Sequence, residues 1–578
     1  MSTLLDTLTS RFDKAIVAAF GEEHAGTPPV LRRSNRADFQ ADVALGLGRK
    51  LGRPPREIAE ALVAKLDLAG LADKIEIAGP GFVNLTLTDA WLSRELDSAA
   101  ADARLGVPAE TPETVVIDYS SPNVAKEMHV GHVRSTLIGD SLARVLEHLG
   151  HRVIRQNHLG DWGTPFGMLI EHLLDTSATS GSEAASLSIR DLDTFYREAR
   201  AKFDGDAAFA DRSRKRVVLL QSGDAKTLEL WRQLVDLSTS YFGQIYERLG
   251  VKLTSADICS ESFYNPKLGP VTDALRDKGL LQESDGADCV FPPGFTSKEG
   301  NPLPLIVRKK DGGYGYAATD LAAVRHRTET LGASRVLYVV GAPQQQHLTM
   351  VFAVAAMAGW LPSSARATHV AFGSILGPDK EMFKTREGGT VKLADLLDEA
   401  ITRALAIIEE KNPAHLDETA RRDVARMIGI GALKYVDLSS DRVKDYVFDW
   451  NRMLAFDGNT APYLQFAHAR TRSILRKAGG TVAGATIAVH APEERALALA
   501  LLGFGDVVAS VADSLQPHRL CTYLFDLATV TTAFLENCPV LKAEDDATRA
   551  SRLALCEVSS KVLARGLDLL GIEAPEVM

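Results

Sequence analysis

Cysteine is scarce in this chain of 578 residues: only five occur, and no two of them form a CxxC pair. That spacing excludes a dense disulfide framework and argues against a zinc site built from thiolates. Scattered thiols also suit a reducing compartment, so we expect a cytoplasmic protein. The five positions are Cys259, Cys289, Cys521, Cys538 and Cys556.

Long apolar runs and targeting segments are also missing. No stretch of about 18 consecutive apolar residues occurs, which is roughly the length that a membrane-spanning helix needs. The opening segment, MSTLLDTLTSRFDKAIVAAF, carries acidic residues and lacks a cleavage-type ending. We therefore predict neither a membrane span nor a secretory signal.

Two glycine motifs that bind phosphates are absent as well. Neither GxxxxGK[ST] nor GxGxxG occurs, so any nucleotide must be bound in another way. The net charge of −10 does not indicate nucleic acid as a partner, although a local surface can still bind it. Hydrophobic residues make up 46% and charged residues 24%, which is ordinary for a globular protein, and the length predicts several domains.

The pattern along the chain divides it into three zones. Residues 1–105 combine helix-like segments with an alternating stretch, KIEIAGPGFVNLTLT, which predicts a β-hairpin in a small α/β binding domain. Residues 106–450 alternate strands and helices, with a polar helical insertion near 175–250. Residues 451–578 are helical in pattern and predict an all-α bundle.

The central zone predicts a parallel sheet. A buried-type strand at 114–120 is followed by a helix from Val133 to Gly150 and a second strand at 151–159, and strand, helix, strand at this spacing is a βαβ unit. Further strands are predicted at 302–309, 334–341 and 368–376.

One bundle helix, predicted at 459–480, has a polar stripe. His468, Arg472 and Arg476 are spaced four residues apart on one face, and the spacing alone predicts a solvated basic stripe.

The stretch SSPNVAKEMHVGH, residues 120–132, lies where the first predicted strand turns into a helix. Open α/β sheets bind ligands at this edge, and helix N-termini favour phosphates. His129 and His132 share one face of the first turn, and Gly131 lets a ligand approach the backbone. Two other interpretations stay open: a metal pair, although no third ligand follows at a known spacing, and two helix-capping histidines.

The segment DYSSPNVAKEMHVGHVRSTLIGD, residues 118–140, resembles the signature of the arginyl-tRNA synthetases, which are class I aminoacyl-tRNA synthetases. Further stretches follow in the family's order, so the resemblance covers nearly the whole chain from about residue 80 onward. They are LGDWGTPFG (159–167), LQSGD (220–224), YGYAATDLAAVRHR (314–327), FKTREGGTVKLADLLDEA (383–400), NTAPYLQFAHAR (459–470) and LLGIEAPEVM (569–578).

The resemblance implies a multidomain α/β protein. Its parts would be a class I Rossmann-like parallel-sheet catalytic domain with a helical insertion, a small N-terminal α/β domain that binds the tRNA D-loop, and a C-terminal all-α bundle that binds the anticodon. It also implies a cytoplasmic monomer that activates L-arginine with ATP and transfers it to tRNA(Arg), without a membrane. Mg²⁺ would enter with ATP, and no metal would be tightly bound.

For catalysis, the resemblance implies that Lys126, His129, His132, Lys384 and Arg386 act on the phosphates, and that His129, Gly131, His132 and Lys384 bind ATP. Class I enzymes usually carry a KMSKS loop with two lysines. The loop here is FKTREGG, which has Lys384 and Arg386 but no second lysine. The resemblance implies that Lys126 compensates for the missing charge.

The arginine ligands implied by the resemblance are Asp118, Asn123, Tyr316, Asp320 and Gln344. They are reasonable in type because a guanidinium requires carboxylates and planar polar partners. Asp320 also fits a helix N-cap. The run GAPQQQH, which contains Gln344, departs from the family pattern, with Gly341 and Pro343 where an acid and an arginine are expected.

The tRNA contacts implied are Phe82 and Asn84 for the D-loop, and Tyr463, Phe466 and Arg470 for the anticodon loop. Each set has an alternative: a strand-core Phe with a turn Asn, and a bundle core with an extended Arg. Two other functions also stay open, a nucleotidyl transferase or acyl-adenylate ligase without tRNA, and an inactive tRNA-binding regulator.

Overall fold

The computed structural model describes residues 3–34, 36–180, 192–383, 391–411, 416–480 and 485–578. The N-terminal unit packs four helices against an antiparallel sheet with strand order β1-β2-β4-β3. Along β4, the apolar side chains at alternate positions, Val83, Leu85 and Leu87, are buried in the hydrophobic core. In chain order the elements are α1 (Leu4–Phe20), β1 (Leu31–Arg33), β2 (Phe39–Ala41), α2 (Val43–Leu51), α3 (Pro55–Val63), β3 (Ala72–Ala78), β4 (Phe82–Leu87) and α4 (Asp89–Ala101). The predicted hairpin is β3 and β4.

The central unit is longer. Its elements are β5 (Thr114–Asp118), α5 (Val133–His148), β6 (Arg152–Gln156), α6 (Thr164–Ser180), α7 (Leu192–Gly205), α8 (Ala207–Ser222), α9 (Ala225–Leu249), α10 (Glu261–Asp277), β7 (Gln282–Ser284), β8 (Ala287–Val290), β9 (Leu305–Arg308), α11 (Tyr316–Arg325), β10 (Arg335–Tyr338), α12 (Gln345–Met357), β11 (Arg366–His369), β12 (Ile375–Leu376), α13 (Leu393–Lys411), α14 (Glu418–Leu438), β13 (Tyr446–Val447) and α15 (Trp450–Met453).

A four-stranded parallel sheet forms the centre of this unit, with strand order β11-β10-β5-β6. In this sheet β5 has β6 as its neighbour on one side, to which it is connected through α5, and β10 as its neighbour on the other side. The direction of the strand order therefore reverses between β5 and β10. Ligands bind at such a switch point, outside the carboxyl ends of the strands. The predicted fold class is confirmed.

Two predicted strands differ from expectation. The strand predicted at 302–309 forms as β9, but it belongs to a separate antiparallel sheet with order β7-β8-β9. The strand predicted at 368–376 divides into β11 and β12, and β12 pairs with β13 instead of joining the central sheet. Strand patterns report local extension, whereas the partner strand is chosen by contacts that lie far apart in sequence.

The C-terminal unit is a helical bundle of α16 (Ala461–Ala478), α17 (Pro492–Leu502), α18 (Phe504–Ser514), α19 (His518–Asn537) and α20 (Asp546–Leu569). α16 lies within the predicted range 459–480: Thr460 caps its first turn, and Gly479 ends it in the left-handed conformation. All five cysteines lie within the described ranges, and each is buried and unpaired.

One helical stretch, Pro492–Ser514, is long and apolar enough by composition to cross a membrane, with a mean hydropathy of 1.7. It covers α17 and α18, and its apolar side chains Leu497, Leu501, Phe504 and Val508 are buried within the bundle. Its composition is that of a core helix pair.

The basic stripe on α16 is not simply solvated, so that interpretation was wrong. His468 is buried, and Arg472 donates to Glu576 at 2.6 Å. Arg476 donates to the carbonyl of Glu576 at 2.8 Å. The stripe therefore holds the end of the chain against α16.

Candidate active site

A cavity of about 850 Å³ opens beside the carboxyl ends of the central strands. Its walls come from the segment after β5, the segment after β6, the inserted helices α7–α9, the start of α10 and the turn before α11. Among its lining residues are Asn123, Lys126, Trp162, Tyr196, Glu261 and Tyr316. Three residues predicted from the sequence, Asn123, Lys126 and Tyr316, therefore meet in one space.

His129 and His132 form the entrance to α5, next to Lys126 in the chain. His129 is extended and precedes a single 3₁₀ turn, and its Nδ1 accepts from the N–H of Gly131 at 3.0 Å. The Nδ1 of His132 accepts from the N–H of His129 at 3.1 Å. Because both Nδ1 atoms are acceptors, the neutral rings carry their hydrogen on Nε2. Both histidine side chains therefore cap the turn.

Burial, with His129 beside it, lowers the pKa of His132 to about 4. That ring is therefore neutral at pH 7, so it carries a hydrogen-bonding N–H and no charge. The two ring centroids are 4.1 Å apart. A Cβ at Gly131 would lie 2.7 Å from Cε1 of His129, so glycine is required for this arrangement.

The ammonium of Lys126 lies 4.4 Å from the ring centroid of Tyr196 on α7. This cation–π contact holds the lysine at the wall of the cavity. Lys384 and Arg386, predicted to act with it, lie outside the described residues.

The segment that follows those two residues is anchored beside the histidines. The N–H of Val130 donates to the carbonyl of Val391 at 3.0 Å, and the N–H of Leu393 donates to the carbonyl of Met128 at 2.9 Å. The ammonium of Lys392 also pairs with Glu127 at 2.6 Å. The backbone at 391–393 therefore runs alongside the histidine turn.

Asp118, at the end of β5, is engaged by its own chain. Its carboxylate pairs with Nη2 of Arg327 at 2.6 Å and accepts from Oγ of Ser121 at 3.0 Å. Arg327 is fully buried in a π-helical turn and donates also to Gln156 at 2.6 Å. Asp118 is not among the lining residues of the cavity, and its predicted role as an arginine ligand stays a prediction.

Asn123 is exposed to the cavity and lies over Gly160. A Cβ at Gly160 would overlap the side-chain oxygen of Asn123, so the glycine in the segment after β6 makes room for that amide. Gln344 lies at the end of a 3₁₀ turn that directly follows β10, and its side chain is exposed.

Tyr316 and Asp320 are one turn apart on α11. Gly315 is the N-cap of that helix, so the alternative that Asp320 is an N-cap was wrong. The carboxylate of Asp320 is instead hydrogen-bonded to Nε2 of His347 at 2.6 Å, and that bond raises the pKa of His347.

Glu261, the first residue of α10, is a carboxylate that the sequence reasoning missed. It lines the cavity, and burial, together with Asp161 and Asp320 nearby, raises its pKa to about 7. Neighbouring carboxylates disfavour each other's ionised forms, and a cationic ligand stabilises those forms. An acid in the first turn of a helix is ordinary, so the sequence carried no signal for it.

The residues predicted to bind the D-loop are on β4. Phe82 is half-buried, and the guanidinium of Arg32 lies 6.0 Å from its ring centroid. Asn84 is buried, and its side-chain oxygen accepts from Gln40 at 2.8 Å. Gln40 is thus a further amide beside the predicted pair.

The residues predicted to bind the anticodon loop are on α16. Tyr463 is half-buried and packs against Phe525, with ring centroids 5.7 Å apart. Phe466 is 45% exposed, which is unusual for so large an apolar ring. Arg470 pairs with Glu536 at 3.6 Å.

Within the described residues, no group of three or more His, Cys, Asp or Glu side chains is arranged to hold a metal ion.

Comparisons with known proteins agree along the chain. Family models match three consecutive regions: the arginyl tRNA synthetase N terminal domain at residues 6–87, the catalytic domain of the class I tRNA synthetases (R) at 95–450, and the DALR anticodon binding domain at 464–578. The chain is 57% identical to the arginine–tRNA ligase of Thermobifida fusca over 99% of both chains. It is 51% identical to the arginine–tRNA ligase of Cellvibrio japonicus over 95% of both chains.

Solved structures give the same result. The arginyl-tRNA synthetase of Plasmodium falciparum superposes with a TM-score of 0.86 at 28% identity, covering 100% of both chains. That of Thermus thermophilus superposes with a TM-score of 0.84, also at 28% identity and over 100% of both chains. From its sequence, its fold and the geometry of its cavity, the chain belongs to the class I arginyl-tRNA synthetase family.

Proposed function

We propose that this chain is an arginine–tRNA ligase that forms arginyl-adenylate from L-arginine and ATP in the cavity beside β5 and β10, releases pyrophosphate, and transfers arginine to the 3′-terminal adenosine of tRNA(Arg). The observation that carries the proposal is the charge arrangement of the site. Carboxylates suited to a guanidinium are present in Glu261, which lines the cavity, and in Asp320, which is near enough to raise its pKa, and donors suited to phosphates lie at the start of α5.

ATP, as its Mg²⁺ complex, would place its phosphates at the start of α5. The Nε2–H groups of His129 and His132 donate there, and the positive end of the helix dipole adds to them. Gly131 lets the nucleotide approach the backbone. Lys126 supplies charge from the cavity wall, and Lys384 and Arg386 would add theirs from the segment before Val391.

L-arginine would lie in the cavity with its guanidinium at Asp320 and Glu261. Tyr316 and Asn123, which face the same space, would fix the rest of the molecule, and Gln344 lies at the neighbouring strand end. Asp118, paired with Arg327, supports the end of β5 in this arrangement. Attack of the arginine carboxylate on the α-phosphorus forms the mixed anhydride as the bond to the pyrophosphate oxygen breaks. The chain's contribution is alignment and stabilisation of charge.

tRNA(Arg) would contact both ends of the molecule. Residues 1–105 would bind the D-loop through Phe82, Asn84 and the adjoining Gln40, and residues 451–578 would bind the anticodon loop through Tyr463, Phe466 and Arg470. Aromatic rings and amides suit unpaired bases. We propose further that the chain acts as a cytoplasmic monomer, with 106–450 as its catalytic unit.

The test is amino-acid-dependent ATP–pyrophosphate exchange and aminoacylation with purified tRNA. We expect arginine alone among the amino acids to support both reactions when tRNA(Arg) is present. Exchange with arginine but no charging of tRNA would instead indicate an adenylate ligase. tRNA binding without either reaction would indicate a regulator, and both results would contradict the proposal.

A further inference from the structure

Three residues in the segment after β5 have left-handed backbone conformations although none is glycine. Ser120 has φ 70°, Ser121 φ 49° and Ala125 φ 62°. A Cβ makes this conformation unfavourable, so it persists only where surrounding contacts hold it. The segment carries Asn123 and Lys126 into the cavity, and its shape therefore decides where those two side chains lie.

Each of the three strained residues donates its N–H to a side chain. Ser120 donates to Oγ of Ser135 at 2.9 Å, and Ser121 donates to Oδ1 of Asn157 at 2.9 Å. The third bond comes from the helical insertion: Ala125 donates to Oγ of Ser238, on α9, at 3.0 Å. Ser238 is fully buried, and its hydroxyl donates in turn to the carbonyl of Leu234 at 2.8 Å.

A second side chain of α9 reaches the other end of the segment. The hydroxyl of Tyr246 lies 2.7 Å from Oγ of Ser120 and accepts from Nδ2 of Asn157 at 3.0 Å. Ser120 Oγ lies 2.9 Å from Oγ1 of Thr136, which donates to the carbonyl of His132 at 2.7 Å. A continuous set of buried hydrogen bonds thus connects α9 to the histidine turn.

A third contact extends the same face of α9. The indole N–H of Trp231 donates to the carbonyl of Asp161, in the segment after β6, at 2.8 Å. Trp231, Ser238 and Tyr246 are spaced by seven and eight residues, so they lie along one side of the helix. α9 therefore bonds the segments after both β5 and β6, which form the cavity wall.

We propose that Ser238 and Tyr246 are positioning residues for arginine activation. Neither lines the cavity, and each acts through the segment 119–126, holding its left-handed residues so that Asn123 faces arginine and Lys126 faces the ATP phosphates. The helical insertion is then part of the catalytic machinery. This inference rests on the proposed function, because it assigns Asn123 and Lys126 to that reaction.

The first experiment compares Ser238→Ala and Tyr246→Phe with two matched controls that also lose one hydroxyl. Thr239→Ala removes an exposed hydroxyl from the next position on α9, which bonds only Asp236 of the same helix. Tyr523→Phe removes a hydroxyl that bonds the carbonyl of Ala500 in the C-terminal bundle. Arginine-dependent exchange is measured per active site in the presence of tRNA(Arg), with the melting temperature of each variant.

We expect Ser238→Ala and Tyr246→Phe to lower kcat/KM about tenfold, the size expected for one lost hydrogen bond in a transition state. KM for ATP and arginine should rise in those variants and stay at the wild-type value in both controls. A purely structural role would lower the melting temperature and the number of active sites but leave KM unchanged, and that result would overturn the inference.

A double variant gives an independent test. Ser120→Ala and Tyr246→Phe each break the contact between these two hydroxyls, and each also breaks one other contact, with Thr136 or Asn157. Because the shared contact can be lost only once, the double variant should lose less activity than the product of the two single losses. If the loss of kcat/KM in the double variant equalled the product of the two single losses, the inference would be overturned. The outcomes also separate it from the proposed function: absence of exchange in the wild-type enzyme contradicts the proposed function, whereas wild-type exchange with unaffected variants contradicts only the role of α9.

Discussion

Glu261 and Asp320 face the same region but have different neighbours. The carboxylate of Asp320 is hydrogen-bonded to Nε2 of His347 at 2.6 Å. Glu261 is largely buried, and two other acids, Asp161 and Asp320, lie near it. Without a ligand, Glu261 is therefore about half protonated near neutral pH. A bound guanidinium would favour its ionised form, so arginine binding and loss of this proton should be coupled.

The coupling predicts a pH dependence. Since the pKa of Glu261 is raised to about 7 in the free enzyme, arginine binds a form that is scarce below that pH and dominant above it. Affinity should therefore rise from about pH 6 to about pH 8 and then level off, with a limiting slope of about tenfold per pH unit at the acidic end. Calorimetric titration across this range measures it.

The control for that titration is Glu261→Gln, which should bind arginine more weakly and lose most of the slope. His347, whose pKa is raised by Asp320, titrates in the same direction, so His347→Gln in the same background should remove the remainder. A wild-type affinity independent of pH would show that Glu261 does not contact the guanidinium.

Asp320→Ala should weaken arginine binding by about 2–5 kcal/mol, as expected when one partner of a hydrogen-bonded charge pair is removed. Asp320→Asn, which keeps the size, should lose nearly as much because it lacks the charge. Competition by citrulline is the measurement, since citrulline has the shape of arginine without the cation. A variant that still prefers arginine over citrulline as strongly as the wild type would exclude Asp320 as a guanidinium ligand.

Lys126→Ala should reduce the turnover of arginine activation about a hundredfold, as removal of one transition-state donor does elsewhere. KM for arginine should change little, because the lysine acts on charge that develops during transfer. Lys126→Arg should recover part of the rate. Pre-steady-state exchange separates these quantities, and an unchanged turnover would show that Lys126 does not compensate for the missing loop lysine.

At the scale of elements, α5 is the link between the site and the rest of the catalytic unit. It begins at the two histidines and is buried along nearly its whole length, including polar side chains such as Arg134, Asp140 and Arg144. Gly139 brings it against Tyr119, directly after β5, and a Cβ there would overlap the ring. The close approach fixes the helix start relative to the strand end.

Gly139→Ala should therefore destabilise the protein by about 1–3 kcal/mol, the usual effect of overpacking. Gly243→Ala is the matched control, because Gly243 is also inside a helix but has open space where the Cβ would be placed. That substitution should stabilise by about 0.5–1 kcal/mol through helix propensity. Urea unfolding of both variants measures the difference, and equal midpoints would contradict the packing argument.

At the scale of the molecule, the three units are joined by specific contacts. Arg495 of α17 donates to Asp38 and to the carbonyl of Leu87 in the N-terminal unit, each at 2.7 Å. The end of the chain returns to the catalytic unit, where the buried Lys434 donates to the carbonyl of Gly571. The C-terminal unit is thus in contact with both the N-terminal unit and the catalytic unit.

This connection underlies the prediction that arginine activation requires tRNA. The stretch FKTREGG, residues 383–389, has one lysine and two adjacent glycines, so we expect ATP to be aligned only when tRNA is bound at both ends. Exchange should be weak without tRNA, and its stimulation by tRNA should decrease steeply with salt because the contacts are largely ionic. Enzyme freed of nucleic acid is required, and strong exchange in the absence of RNA would contradict the coupling.

The sequence by itself determined most of the elements, the family and the place of the histidine turn. Hydrophobic periodicity and capping residues are local, so α16, which Thr460 and Gly479 cap, lies within the range predicted for it. The βαβ unit around SSPNVAKEMHVGH also follows from local pattern, which places the histidines at a strand end. Asn123, Lys126 and Tyr316 line one cavity, and their roles in binding stay a prediction.

Only the tertiary structure decided which distant residues meet. Glu261 joins the cavity because α10 packs beside α11, and Asp118 is paired because Arg327 returns under β5 from more than 200 residues away. Folding likewise brings the stripe on α16 into contact with Glu576 and places β9 in a second sheet. The local sequence gives the charge of a residue and the periodicity of the segment around it. The partner of the residue, its burial and hence its pKa depend on contacts that form only when the chain has folded.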